Sequence, residues 1–221
     1  MSREVVRRAL LSAALSSAVA VLVALTACAA DEPTTVASGD PLTQGKQYLQ
    51  DKNYSQAIQL LTEAVRQRPG DAEAHFRLGS AYAGIDKWDQ AAEQYRRAVE
   101  LNPGDADAHS NLGGALYRLG SVEEALVEFQ AALAILPDDA AIHYNLGAAF
   151  VTLDRLDDGL LEFQTAVRLK PDLPEVYFGF GSVYKILGRT EEARQAFERF
   201  LELSSDATFR AEAESQLNEL R

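Results

Sequence analysis

The six residues Ala108–Gly113, AHSNLG, decide how the rest of this chain is read. Versions of the word occur upstream as AHFRLG from Ala74 and downstream as IHYNLG from Ile142, at intervals of 34 residues. All three histidines of the 221-residue chain, His75, His109 and His143, stand in it. A metal site, a catalytic array and a structural repeat would each give histidines a fixed place, and geometry separates them. Ligand nitrogens must come within about 2.0–2.1 Å of one ion. Equivalent positions in stacked helical units are roughly 8–10 Å apart. One histidine from each of three units therefore cannot converge on a metal. No HExxH spacing occurs and no cysteine partner is available, so the word marks a repeat.

The register extends in both directions to give five units, 38–71, 72–105, 106–139, 140–173 and 174–207. The eighth position is Gly45, Gly79, Gly113, Gly147 and Gly181. The twentieth is Ala57, Ala91, Ala125, Gly159 and Ala193, and the twenty-fourth is Leu61, Tyr95, Phe129, Phe163 and Phe197. Pro69, Pro103, Pro137 and Pro171 close the first four units. Each unit holds two amphipathic windows of about 12 residues, predicted in the third unit near 106–118 and over 122–135. Gly113 lies mid-helix, where glycine costs roughly 0.5–1 kcal/mol relative to alanine. A glycine kept there five times implies close helix approach, with Tyr95, Phe129 and Phe163 filling the space beside it. Gly159, where other units carry alanine, reads as a local weak point. The fifth unit replaces the small twenty-seventh residue by Phe200. It runs into TFRAEAESQLNELR, a helix with Phe209, Ala213, Leu217 and Leu220 on one side, as the end of an array requires.

This pattern resembles the tetratricopeptide repeat in its period, its L-G-x-x-Y and A-x-x-x-F words and its late proline. The resemblance implies an all-α fold: an α-solenoid of five helix pairs across 41–207 with a capping helix over 208–221. It places the histidines at the fourth position, at the seam with the neighbouring helix. It also implies a concave groove, lined by the first helix of each unit, that holds peptide segments. Residues of this chain carried over to that groove are Phe76, Arg77, Asn111, Tyr117, Tyr144, Asn145 and Phe178. Asparagine can bond both the N–H and the C=O of an extended backbone. Members of this family that hold a C-terminal carboxylate use Lys and Arg at first-helix positions. Here the second positions are Glu73, Asp107, Ala141 and Glu175, which would repel one.

The N-terminus is a different object. Arg3, Arg7 and Arg8 precede an apolar run from Ala9 to Ala27, the layout of a secretory signal. The run ends in LTAC, Leu25–Cys28, which resembles a bacterial lipobox and uses the chain's one cysteine. The expectation is a lipoprotein signal peptide over 1–27, a lipidated Cys28, and a flexible tether across 28–40. The alternative is an uncleaved anchor, since the run is about long enough to span a membrane. Either way the arginines keep that end cytoplasmic and Ala29 onward faces outward. Ala29 after the cysteine favours an outer membrane where the organism has one.

Charge and motifs narrow the function. The chain has 21 basic and 33 acidic residues, a net of −12. Removal of 1–27 takes three Arg and one Glu and leaves 18 against 32, a net of −14. Nucleic-acid binding needs clustered Lys and Arg, so that class is excluded. GFGSVY from Gly179 lacks the third glycine of a dinucleotide loop, and GDADAH from Gly104 lacks the later ligands of a calcium loop. No nucleophile motif is present. The expectation is a non-catalytic scaffold or adaptor in envelope assembly, without cofactor or metal. It would be lipid-anchored on the extracytoplasmic side of the cell membrane and would bind protein or peptide segments of envelope proteins. Lipoproteins of this kind resemble pilotin-type factors of pilus assembly and adaptors for cell-wall enzymes. The alternative is a self-associating structural protein of the envelope.

Overall fold

The computed structural model of the chain describes residues 39–220, and among these every regular element is an α-helix, eleven in all. The apolar run, Cys28 and all but the last two residues of the tether lie outside the described residues. The helices fall into two compact units, residues 39–104 and 105–220. The first holds α1 (Pro41–Gln50), α2 (Tyr54–Gln67), α3 (Ala72–Ala83) and α4 (Trp88–Leu101). The second holds α5 (Ala106–Leu119), α6 (Val122–Ile135), α7 (Ala140–Thr152), α8 (Leu156–Leu169), α9 (Pro174–Ile186), α10 (Thr190–Leu203) and α11 (Ala207–Glu219). No helix among the described residues is long and apolar enough to cross a membrane.

Local chemistry sets where the helices start and stop. Asp71, Asp105 and Asp139 stand 34 residues apart, and each side chain accepts from main-chain N–H groups at the start of α3, α5 and α7. Such a cap is worth about 1 kcal/mol, and it accounts for the acid in GDADAH without calcium. The turn inside each helix pair places one residue in the left-handed region, always the fifteenth of its repeat. These are Lys52, Asp86, Gly120, Asp154 and Gly188, with φ of 57°, 58°, 85°, 64° and 71°. Only two are glycine, so the sequence alone conceals this shared stop. Gly120 ends α5 at Leu119, one residue beyond the expected window.

The packing of each pair turns on the glycine at the eighth position. A Cβ at Gly113 would lie 2.7 Å from Phe129, at Gly147 2.7 Å from Phe163, and at Gly181 2.7 Å from Phe197. In the other unit the corresponding approaches are 2.8 Å for Gly79 to Tyr95 and 2.6 Å for Gly45 to Leu61. The first helix therefore lies directly on the large residue of the second, and a methyl group has no room. Ala57, Ala91, Ala125 and Ala193 are fully buried at the twentieth position and let the helices close further. Gly159 is not the weak point expected there. A Cβ at Gly159 would come 2.5 Å from Val151 and 3.0 Å from the Gly147 carbonyl. The β-branched Val151 occupies the space that an alanine methyl takes in the other pairs, so glycine is required.

The last pair ends the array as the apolar pattern predicts. Phe178, Phe197, Phe200 and Ala213 are buried together, with Phe209 and Leu217 of α11 and Leu220 at its end packed against them. Polar bonds fasten the same helix. Lys185 donates to Gln216 Oε1 at 2.6 Å and pairs with Glu219 at 2.7 Å. Arg210 donates to the carbonyls of Leu201 and Ser204 at the end of α10.

Two adjacent glycines of α5 test this packing. Gly113 faces Phe129, whereas a Cβ at Gly114 would meet nothing within 4 Å. Gly114→Ala should raise stability by roughly 0.5–1 kcal/mol through helix propensity. Gly113→Ala gains the same propensity but should lower stability by about 1–3 kcal/mol through overpacking. Chemical denaturation of the two variants checks the opposite signs; equal shifts would remove the steric role assigned to Gly113.

Candidate interaction surface

The histidines are occupied by bonds within the fold. His75 Nδ1 lies 2.8 Å from Gln94 Oε1, His109 Nδ1 2.7 Å from Glu128 Oε2, and His143 Nδ1 2.6 Å from Glu162 Oε2. Each partner lies 19 residues on, in the second helix of the same pair. His75 Nε2 is 3.2 Å from the Pro69 carbonyl and His143 Nε2 is 3.0 Å from the Pro137 carbonyl. Tyr177 takes the same place in the fifth repeat and donates to the Pro171 carbonyl at 2.7 Å. The fourth position thus ties a first helix to its own second helix and to the proline turn before it. Among the described residues no group of three or more His, Cys, Asp or Glu is placed to hold a metal ion.

In the first compact unit, Phe76 is half-buried, with its ring 5.7 Å from that of Tyr95. The Arg77 guanidinium lies 5.3 Å from the Phe76 ring and within 3.5 Å of Glu73. Glu73 also pairs with Lys46 of α1 at 2.7 Å, and that bond holds its carboxyl below the ordinary range. The side chain of Glu73 is exposed and those of Lys46 and Arg77 are half-buried, with the Arg77 Nε covered and without a hydrogen-bond partner. They form a mixed-charge face on α1 and α3.

In the second unit α5, α7 and α9 lie side by side, and the expected aromatic lining of an open groove is corrected. Tyr117, Tyr144 and Phe178 are 2%, 0% and 1% exposed. Each has folded inward instead of presenting its ring to solvent. Tyr144 stacks on Phe163 with ring centres 5.7 Å apart. Phe178 meets Phe197 and Phe200 edge-on at 5.5 and 5.4 Å. The Tyr117 hydroxyl is 2.8 Å from Thr152 Oγ1. Thr152 spends its own proton on the Ala148 carbonyl, so Tyr117 is the donor. These rings hold the layer together and offer no ring face to a peptide. Ala148 and Ser182, at the ninth position, are buried as well.

Polar side chains remain at the surface of these first helices. Asp107 is exposed, and Asn111, Asn145 and Glu175 are half-buried. Asn111 donates to the Asp107 carbonyl of its own helix at 2.8 Å, so one amide proton is already committed. The Asn145 Oδ1, Tyr144 hydroxyl and Glu175 Oε2 are buried atoms without a hydrogen-bond partner. Burial, with the charge of Glu175 and the hydroxyl of Tyr117 nearby, pushes the Tyr144 hydroxyl well above the ordinary phenol range. In the sequence Glu175 only argues against carboxylate ligands; its lack of an internal partner is visible only in three dimensions.

The comparisons agree with this architecture. Models described as tetratricopeptide repeat match residues 48–94, 81–140, 128–174 and 174–206. No curated protein sequence matches the chain. Among solved structures, MamA of Desulfovibrio magneticus RS-1 is 24% identical. The match covers 76% of this chain and 97% of that one, with a TM-score of 0.68. A thermophilic tetratricopeptide-repeat protein of Thermus thermophilus is 24% identical over 80% of this chain and 97% of its own, with a TM-score of 0.65. The pilF protein of Pseudomonas aeruginosa is 22% identical over 81% of this chain and 86% of its own, with a TM-score of 0.67.

Tyr144 gives the correction a direct test. Tyr144→Phe should leave stability unchanged or raise it by about 1 kcal/mol, since it deletes a buried hydroxyl without a partner. Tyr144→Ala should cost roughly 3–5 kcal/mol. Thermal and denaturant unfolding read both; a small loss for alanine would return Tyr144 to an exposed role.

The repeat register, the five glycine contacts and the matched segments together make this chain a member of the tetratricopeptide-repeat family.

Proposed function

We propose that the protein is a non-catalytic scaffold that holds a segment of a partner protein on the first-helix face of its repeats. One observation carries the reading. Along α5, α7 and α9 the apolar residues are turned inward, while amides and carboxylates, Asp107, Asn111, Asn145 and Glu175, remain at the face. Such a face binds by hydrogen bonding and charge, and it holds no nucleophile–base pair for chemistry. The reading extends to the N-terminal features: a signal peptide over 1–27, a lipid on Cys28, and a membrane-anchored protein acting in envelope assembly on the extracytoplasmic side. Anchoring would raise the local concentration of the bound segment at the membrane. Stable attachment needs two or more acyl chains, because a body of net charge −14 after cleavage is not drawn to anionic lipid. The similarity to the pilF structure bears on architecture alone.

The two parts are tested separately. Cys28→Ser should fold normally and take up no labelled fatty acid in the native host; labelling equal to wild type contradicts the anchor. For the surface, wild type and Asn111→Ala/Asn145→Ala are cross-linked in the host and purified. A partner captured by wild type and reduced about tenfold or more by the double variant, with equal thermal stability, is the expected result. A partner retained equally moves the site off this face, and recovery of the chain's own copies alone supports the self-associating alternative.

A further inference from the structure

The three acceptors on α7 and α9 define the chemistry of the ligand more narrowly than the scaffold reading does. Tyr144 is fully buried, yet its hydroxyl has no hydrogen-bond partner. Asn145, the next residue on α7, has its Oδ1 covered and unbonded, and Glu175 in the first turn of α9 has its Oε2 in the same state. Helices α7 and α9 pack against each other, and the Glu175 charge is felt at the Tyr144 hydroxyl. Glu175 makes no ion pair among the described residues. The cation nearest along α9, Lys185, is committed to Gln216 and Glu219 of α11.

An unpaired buried acceptor is destabilising, and more so when charged. Here a carboxylate oxygen, an amide oxygen and a phenol oxygen bear this cost together on two neighbouring helices. A carboxylate ligand would add a fourth acceptor and repulsion. A neutral backbone N–H could satisfy one oxygen but not the charge. A guanidinium matches the set chemically: it is planar, permanently charged, and carries five N–H donors in a fixed fork. The phenol can accept one of these protons. We propose that the face formed by α7 and α9 receives an arginine side chain of the partner, with Glu175 as its counter-charge and Asn145 and Tyr144 as further acceptors. This inference rests on the scaffold reading and names the chemistry of the bound segment.

The test uses the full-length chain and three fluorescent nine-residue peptides in a Gly-Ser frame, carrying three spaced arginines, three citrullines or three glutamates. Citrulline keeps the shape of arginine and removes its charge. Fluorescence anisotropy is measured for wild type, Glu175→Gln, Tyr144→Phe and Glu123→Gln, the last removing an equal charge from the exposed start of α6. The expected result is binding of the arginine peptide to wild type, at least about tenfold weaker binding to Glu175→Gln, and roughly threefold or more for Tyr144→Phe. Glu123→Gln should change affinity by less than about twofold, and the citrulline peptide should bind wild type no better than the arginine peptide binds Glu175→Gln. Equal losses in Glu175→Gln and Glu123→Gln would reduce the effect to bulk charge and overturn the proposal. Equal binding of citrulline and arginine, preference for glutamate, or no binding of any peptide would overturn it too. Binding of citrulline that is lost in Asn111→Ala/Asn145→Ala would keep the scaffold face while removing the cation site. If no peptide binds, the host cross-link still decides the scaffold reading by itself.

Discussion

The contact between a glycine in the first helix and a large side chain in the second is the constraint on which every helix pair depends. Gly113 against Phe129 is the type example, with no space for a methyl between backbone and ring. Dispersion falls steeply with separation, so this closeness brings the two helices within range of their packing contacts. It also fixes the direction of the other faces. Once the glycine side of a first helix lies on its partner, the fourth-position histidine or tyrosine reaches the proline turn, and the twentieth-position alanine closes the other edge. The remaining side faces the neighbouring first helices and solvent. The interaction surface is what the packing of the pair leaves over.

The same constraint explains how helix pairs vary without losing geometry. In the third repeat the fifth position is Ser110 and the twelfth is Tyr117; in the fourth they are Tyr144 and Val151. Ring volume thus moves between the two positions from one repeat to the next. Where Val151 presses toward the second helix, Gly159 yields the space. A change at one position is answered at another within the same pair, as expected for interiors packed near crystal density.

Much of the fold was legible because it is local. The 34-residue period, the helix windows, the capping aspartates' acidic turns and the apolar side of α11 all follow from residues close in sequence. What was not legible depends on where a side chain turns once neighbours are present. Tyr117, Tyr144 and Phe178 occupy positions that the family register places on an open face, yet each finds more contact inward, against Thr152, Phe163 and Phe197. A signal existed: an aromatic at the fifth position accompanies an aromatic at the twenty-fourth in Phe76/Tyr95, Tyr144/Phe163 and Phe178/Phe197, as packed rings require. The left-handed stop at the fifteenth position was hidden because lysine and aspartate share it with glycine. The unpaired state of Glu175 carries no sequence signature, since pairing is decided by helices far apart in the chain.

The surface that results is acidic, hydrogen-bonding and poor in exposed rings. Its affinity must come from charge and from satisfying acceptors, and that gives specificity and fast encounter more than bulk hydrophobic binding would. Covalent labelling of carboxylates, read by mass spectrometry on the free protein and on its complex with the cross-linked partner, tests the location most directly. The account predicts that Asp107 and Glu175 lose labelling in the complex while Glu123, Asp157 and Glu198 on the second helices keep theirs. Protection of Glu123 and Asp157, with Asp107 and Glu175 unchanged, would contradict it.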